Sequence, residues 1–267
     1  MSRSVFRSAV ASLALGTAAL GAQATFNITV NYTGLSATEQ GYFASAESFW
    51  ESVINGYQSG VSLTGLTIAA SGAAMDGVGG ILGSAGPTAV ALQASTYYTT
   101  TGVMSFDSAD ISNMIANGSF TSVIQHEMGH VIGIGTLWNL NGLYVDGSGH
   151  YTGANALATY RSEFNQPAAT FVPVEMGGGS GTADGHWNEV DGGGSNTGIV
   201  DSLNRDMKNE LMTGWLNSPT FVSLTTVNSL KDLGYVVSVV PEPGSLALWL
   251  VGLPVVWRLG SRRRRAN

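Results

Sequence analysis

Cysteine is absent from the 267-residue sequence. That excludes a disulfide framework, a cysteine nucleophile and any thiolate metal site. Charge is also scarce. Asp, Glu, Lys and Arg make up 11% of the chain, against about 25% in ordinary soluble domains. There are 11 basic and 18 acidic residues, for a formal charge of −7. A nucleic-acid binder needs the opposite balance, because Lys and Arg must neutralise phosphates. Hydrophobic content is an ordinary 44%, so the low charge does not mark a disordered tail. The length is enough for a sizeable core, in one large domain or two small ones.

The few bases are unevenly placed. Arg3 and Arg7 open the chain, and Arg258 with the run Arg262 to Arg265 closes it. Residues 25–240 hold 17 acids and 4 bases, a net of −13. The two ends therefore read as separate segments. Residues 1–24 have the three parts of a secretory signal: the basic Arg3 and Arg7, an apolar run from Ala9 to Ala22, and the cleavage pattern Ala22-Gln23-Ala24. The mature chain is expected to begin at Thr25; a buried N-terminal helix is the alternative.

Residues 241–267 begin with Pro241-Glu242-Pro243, continue as an uncharged stretch to Trp257, and end in the arginine cluster. The stretch from Pro243 to Trp257 is 15 residues, short of the roughly 20 that cross a bilayer as a helix. The arginines would stay cytoplasmic by the positive-inside rule. This tail resembles the PEP-CTERM sorting signal of Gram-negative bacteria. The resemblance implies an exosortase-type processing enzyme as a partner and transient inner-membrane association through the C-terminal segment. It also implies cleavage near Pro-Glu-Pro, and a final place at the cell surface or outside the cell. A plain C-terminal anchor is the alternative.

Residues 25–240 read as one α+β domain. Phe26, Ile28, Val30 and Tyr32 alternate as in a strand. Ser36 and Glu39 form a capping box, and apolar residues at helical spacing behind it predict a helix over 37–54, ending near Gly56. Val61–Ala69, Thr88–Gln93 and Val103–Phe106 read as further strands. Residues 71–86 are Gly-rich, with turns at Gly79-Gly80 and Gly86-Pro87. A short helix after Asp107 is expected to end at Asn117-Gly118, and Ser119 is the expected N-cap of the next. The order fits a mixed sheet backed by two helices.

That next helix carries His126-Glu127-Met128-Gly129-His130, an H-E-x-x-H motif. Residues four apart share a helix face, so both imidazoles can reach one Zn²⁺. Glu127 lies on the same side and can take a proton from a metal-activated water. Gly133 extends the motif to H-E-x-x-H-x-x-G, the start of the metzincin pattern. It permits the sharp change of direction that ends the helix. The commonest metzincin form places a third His at position 136, where this chain has Thr136. Farther on come His186-Trp187 in a Gly-rich loop, Glu210-Leu211-Met212, a helical pattern from Leu224 to Leu233, and Asp232-Leu233-Gly234-Tyr235.

In that order these motifs resemble the leishmanolysin family of zinc metalloproteases. Asp76 to Gly83 and Ser105-Phe106-Asp107 are similar to its bacterial members. The resemblance covers most of residues 70–237. It implies a metzincin-like catalytic domain: a mixed twisted sheet, an active-site helix, Gly-rich loops, and a closing C-terminal helix after a Met-turn. It also implies that His126, His130 and His186 are zinc ligands, Glu127 the catalytic acid/base, and Met212 the Met-turn residue beneath the metal. Family members are disulfide-rich and longer; without cysteine a Cys-switch zymogen is impossible here. Residues 25–70 are expected to belong to the catalytic domain itself.

The activity implied is endopeptidase cleavage of a peptide or protein substrate. An extended peptide would pair with an exposed strand edge, for which Thr88–Gln93 is the expected strand. Two other classes stay open: a surface-displayed binding or matrix protein on a degenerate metalloprotease fold, and a zinc hydrolase of non-peptide substrates. Asp184, Glu189, Asp191, Asn196 and Asp201 offer oxygen ligands of the kind Ca²⁺ takes. Without the EF-hand pattern, a solvated acidic loop is preferred to a structural calcium site. His150 reads as a surface or loop residue, Trp138 and Trp187 as packing residues, and Asp107 and Asp110 as turn and N-cap residues.

Overall fold

The computed structural model describes residues 25–189 and 196–238. The proposed signal and sorting segments, and Asp191, lie outside the described residues. The chain begins with β1 (Asn27–Thr33), α1 (Ala37–Val53), β2 (Ile54–Tyr57), β3 (Gly65–Ala73), β4 (Gly83–Gln93) and β5 (Thr96–Asp107). It continues through α2 (Ile111–Asn117), α3 (Phe120–Ile132), β6 (His150–Tyr151), α4 (Ala154–Glu163), β7 (Val172–Pro173), α5 (Leu224–Asp232) and β8 (Tyr235–Val237). Among the described residues no helix is long and apolar enough to cross a membrane.

The main sheet has the order β1-β3-β5-β4. β1, β3 and β5 run parallel, and β4 pairs antiparallel with β5 as an edge strand. Ile28, Leu66, Ile68, Ala70, Met104 and Phe106 point to one face and are buried, as period-two alternation requires. Against that face lie α1, through Phe43, Ala46, Trp50 and Val53, and α3, through Phe120, Val123, Ile124 and Met128. Phe43, Phe106 and Phe120 meet edge to face, with centroids 5.3 to 6.2 Å apart. The Trp50 indole N–H donates to the carbonyl of Gln125, at 2.9 Å, and so fixes α1 beside the residue that precedes His126. The first strand and helix are thus part of the sheet layer that carries the motif helix.

Local capping explains some boundaries. Ser36 and Glu39 form the expected capping box, with the Ser36 N–H donating to the Glu39 carboxylate at 2.6 Å. Gly118, at φ 80°, ends α2 after Asn117 as expected. Other expectations need correction. α1 stops at Val53, because Ile54 already pairs with Val237 in the unforeseen β2–β8 ribbon. β3 begins at Gly65 and runs to Ala73, held in register on both sides by β1 and β5. β5 starts at Thr96, its first half masked in the sequence by Thr99, Thr100 and Thr101. Gly86-Pro87 is not a turn: it lies inside β4, beside a register shift after Pro87, where an edge strand tolerates a residue without an N–H. Ser119 has helical dihedrals (φ −89°, ψ −13°) and makes no side-chain cap, since an N-cap bond needs extended backbone.

After Gly133 the chain is mostly loop. α4 and α5 pack together and cap one another. Asp232, the last residue of α5, accepts the N–H groups of Asn155 and Ala156 at the start of α4, at 2.9 and 3.0 Å. Glu163, the last residue of α4, accepts those of Leu224 and Thr225 at the start of α5, at 2.7 and 2.8 Å. Each carboxylate thereby satisfies donors that a helix start leaves unpaired. The Tyr235 hydroxyl then donates to the carbonyl of Ile132, the last residue of α3, at 2.9 Å.

Candidate metal centre

The apolar stripe of α3 sets the orientation of its polar face. With Phe120, Val123, Ile124, Met128, Val131 and Ile132 committed to the core, His126, Glu127 and His130 are left toward the cleft. The helix ends at Gly133, whose φ of 130° suits glycine. The Thr136 hydroxyl, standing where a third histidine was sought, donates to the carbonyl of His130 at 2.6 Å. It finishes the helix and leaves the third imidazole to come from elsewhere. That imidazole is His186, brought in by a loop whose backbone pairs with Glu175 on one side and Met212 on the other.

The three rings are placed by backbone carbonyls. Nδ1 of His126 lies 2.7 Å from the carbonyl of Leu211, Nδ1 of His130 lies 2.9 Å from that of Ile134, and Nδ1 of His186 lies 2.7 Å from that of Thr182. A carbonyl only accepts, so each Nδ1 carries the proton and donates. Each Nε2 is then a bare lone pair. The three Nε2 atoms lie 3.0, 3.0 and 3.2 Å from one another. Three acceptors facing each other at that range repel unless a cation lies among them. The point equidistant from all three is about 1.8 Å from each, by the geometry of that triangle, and Zn–N bonds are about 2.0–2.1 Å. The donor set therefore fits one zinc ion. Among the described residues this is the group of His, Cys, Asp and Glu side chains able to hold a metal.

Electrostatics favour the same use. Burial pushes the imidazoles toward the neutral form: His126 below its ordinary value, His130 well below it, and His186 down to about 3. For His130 and His186 the neighbouring rings add to the effect. Neutral imidazole is the ligating form. Burial also raises Glu127, to about 8. Its carboxylate occupies space left by Gly83 of β4: a Cβ there would stand 2.8 Å from Oε1. Met212 packs against Gly129, between His126 and His130 in sequence, where a Cβ would meet its Sδ at 2.7 Å.

The site opens into a cleft of about 850 Å³. On one side it is lined by Gly83, Ser84 and Ala85 of the edge strand, and on the other by the loop that carries His186. The strand next to the site is thus the start of β4, not the expected Thr88–Gln93. At about 3.4 Å per residue, Thr88 stands well along the strand from the ligands.

Other expectations divide. Trp138 and Trp187 are buried and stack at 4.5 Å, as packing residues. His150 is exposed and lies on Phe171. Asp107 forms the expected turn through Ala109 N–H and also holds the N–H groups of Asp76 and Gly77. Asp110 stands at the N-cap position of α2, yet its carboxylate accepts from Gly79 instead. The calcium alternative gains no support. Asp184 accepts from Tyr144 and Gly147, and Asp201 accepts from Leu203 and Arg205. Glu189 accepts from Gly214. The backbone acceptors Leu211, Ile134 and Thr182 went unseen in the sequence, because a carbonyl carries no residue-type signal.

No curated protein matches the chain. The family model for leishmanolysin matches residues 82–240, more than half of the sequence. That span contains the motif helix, the loop of the third histidine, the Met-turn and the closing helix, so the chain belongs to the leishmanolysin family of zinc-dependent metalloproteases.

Proposed function

We propose that the protein is an exported zinc-dependent endopeptidase in which His126, His130 and His186 hold the ion and Glu127 is the general base and acid. The observation that carries this reading is the convergence of three unprotonated Nε2 atoms beside one buried carboxylate. When bound, zinc supplies a Lewis acid that polarises the scissile carbonyl and makes water easier to deprotonate. Glu127 takes the proton from the attacking water and later delivers it to the leaving amine. Its place beside His126 and His130, on the face of α3 that lines the cleft, suits that double task. The free edge of β4 at Gly83–Ala85 accepts an extended peptide, main chain to main chain. The intact donor set weighs against the degenerate binding protein considered above.

Export is proposed from the terminal sequences: removal of residues 1–24, transient membrane association through residues 241–267, and processing by an exosortase-type enzyme near Pro241-Glu242-Pro243. Intact-mass analysis of the native protein tests it. A chain starting at Thr25 and lacking the arginine cluster is expected; one retaining both ends sinks the export reading.

The peptidase reading is tested by metal analysis with casein digestion, with and without a chelator. One zinc per chain and chelator-sensitive cleavage are expected. Zinc without cleavage of any peptide would favour a hydrolase of another substrate, and absence of zinc a binding protein.

A further inference from the structure

We propose that Glu210 is a positioning residue for the metal centre, one buried carboxylate that locks the start of α5 to the segment that orients His126 and anchors the backbone beside His186. This rests on reading the three histidines as ligands of one ion.

Glu210 is 2% exposed. One carboxylate oxygen accepts the N–H of Met212 at 2.6 Å. The other accepts the N–H and hydroxyl of Ser223, both at 2.9 Å, and the hydroxyl of Thr226 at 2.5 Å. Ser223 is the N-cap of α5, so the negative charge sits where unpaired helix N–H groups favour it. A carboxylate removed from water is costly unless its lone pairs are taken up; here four neutral donors take them up.

What those donors are attached to gives the residue its reach. Leu211 stands between Glu210 and Met212, and its carbonyl accepts the Nδ1 proton of His126 at 2.7 Å. The Leu211 N–H is itself spent on Phe221, at 2.7 Å. The carbonyl of Met212 accepts the N–H of Trp187, at 3.0 Å, next to His186. A second route reaches the same tryptophan: its indole N–H donates to the Thr226 hydroxyl at 2.8 Å, and that hydroxyl donates on to Glu210. The His126 imidazole is therefore oriented by a carbonyl in the segment that this carboxylate holds, and the residue that follows His186 is tied to the same carboxylate by two routes. The partner of a ligating ring tunes metal affinity by fixing ring azimuth and tautomer; here that partner is the Leu211 carbonyl, and Glu210 acts one step behind it by fixing the segment that presents it.

Glu163 supplies the control. It binds the start of the same helix, through Leu224 and Thr225, and has no bond to the Met-turn. Zinc dissociation constants are measured by competition with a chromophoric chelator on the wild-type, Glu210→Gln and Glu163→Gln proteins, together with the visible spectrum after Co²⁺ substitution. Glu210→Gln is expected to weaken zinc at least tenfold and to change the cobalt spectrum, because the amide turns a donor toward N–H groups that need an acceptor. Glu163→Gln is expected to stay within twofold with an unchanged spectrum. If Glu210→Gln does not fold, Thr226→Val breaks the hydroxyl bridge at nearly constant volume and is expected to weaken zinc threefold or more. Unchanged affinity in the Glu210→Gln protein, or in Thr226→Val where only that variant folds, overturns the proposal, as does equal weakening in Glu163→Gln. A wild-type protein that binds no zinc defeats instead the ligand reading beneath it.

Discussion

Up to Gly133 the described chain contains strands of up to 12 residues and helices of up to 17; beyond it no strand exceeds three residues. The first region presents His126, Glu127 and His130 from a helix pressed on a sheet. The second presents His186 and Met212 from loops. Without cysteine, those loops are held by carboxylates that accept backbone N–H groups: Glu163, Asp184, Asp201, Asp206, Glu210 and Asp232. Hydrogen bonds to charged acceptors contribute about 1.5–3 kcal/mol each, enough in number to stand in for cross-links. The comparison also explains the acidic balance. These acids take their donors chiefly from the main chain and from neutral side chains, and Asp201 also pairs with Arg205, at 2.6 Å.

The largest effect expected is on chemistry, for which the first region supplies Glu127 as the proposed general base. Glu127→Ala should lower peptidase turnover by about 10²–10⁴, the usual range for a lost general base, while zinc content and thermal midpoint hold. Substantial turnover by a zinc-loaded variant would mean that the proton carrier lies elsewhere and that the two regions do not divide the work in this way.

Metal removal separates the regions next. The sheet stands on its apolar core, whereas the His186 loop, on the proposed reading, also gains from the ion. At a free zinc level a thousandfold above its dissociation constant, linkage stabilises the site by about 4 kcal/mol. Hydrogen exchange after chelation should therefore quicken first at Trp187 and Met212 and leave β3 and β5 slow. Uniform acceleration across all four would show the regions to be one cooperative unit.

Of intermediate size is the reciprocal capping of α4 and α5. Asp232→Asn and Glu163→Gln should each cost about 1–3 kcal/mol, as partly buried donors lose a charged acceptor. The double variant should lose less than the sum, because each cap is useful only while the other helix is in place. Strict additivity in urea melts would make the caps independent.

How much of this was legible follows the same division. α1 could be read from Ser36, Glu39 and the stripe through Trp50, since a helix announces its period locally. The motif helix and His186 could be read because His is scarce and its chemistry narrow. β2 could not, because Ile54-Asn55-Gly56-Tyr57 earns its strand only by pairing with β8 far along the chain. The extent of β4 was hidden by Gly86-Pro87, a turn signal that an edge strand overrides. Glu210 was visible as part of Glu-Leu-Met, but its bonds to Ser223 and Thr226 span more than ten residues and leave no periodic trace.

The smallest effect tests whether the regions differ in chemistry or only in regular structure, because each has a loop-holding aspartate with the same pH signature. Asp107 in the first region is held below the usual carboxylate range, foremost by the Ala109 N–H and then by those of Gly77 and Asp76. In the second, burial acts to raise Asp206, but the Lys208, Thr197 and Gly198 N–H groups and the Thr197 hydroxyl outweigh it and hold it low. For an acid with a lowered folded value, the unfolded chain binds more protons, so stability rises with pH through the window between the two values. The contribution is fully present above the unfolded value, about 3.9, and is lost as pH falls through the folded one. Asp107→Asn and Asp206→Asn should each lower the thermal midpoint at pH 6 and flatten its fall between pH 5 and pH 3. If only Asp206→Asn flattens the curve, carboxylate clamping belongs to the loop region alone. If both do, the two regions share one device and differ in how much sheet and helix surrounds it.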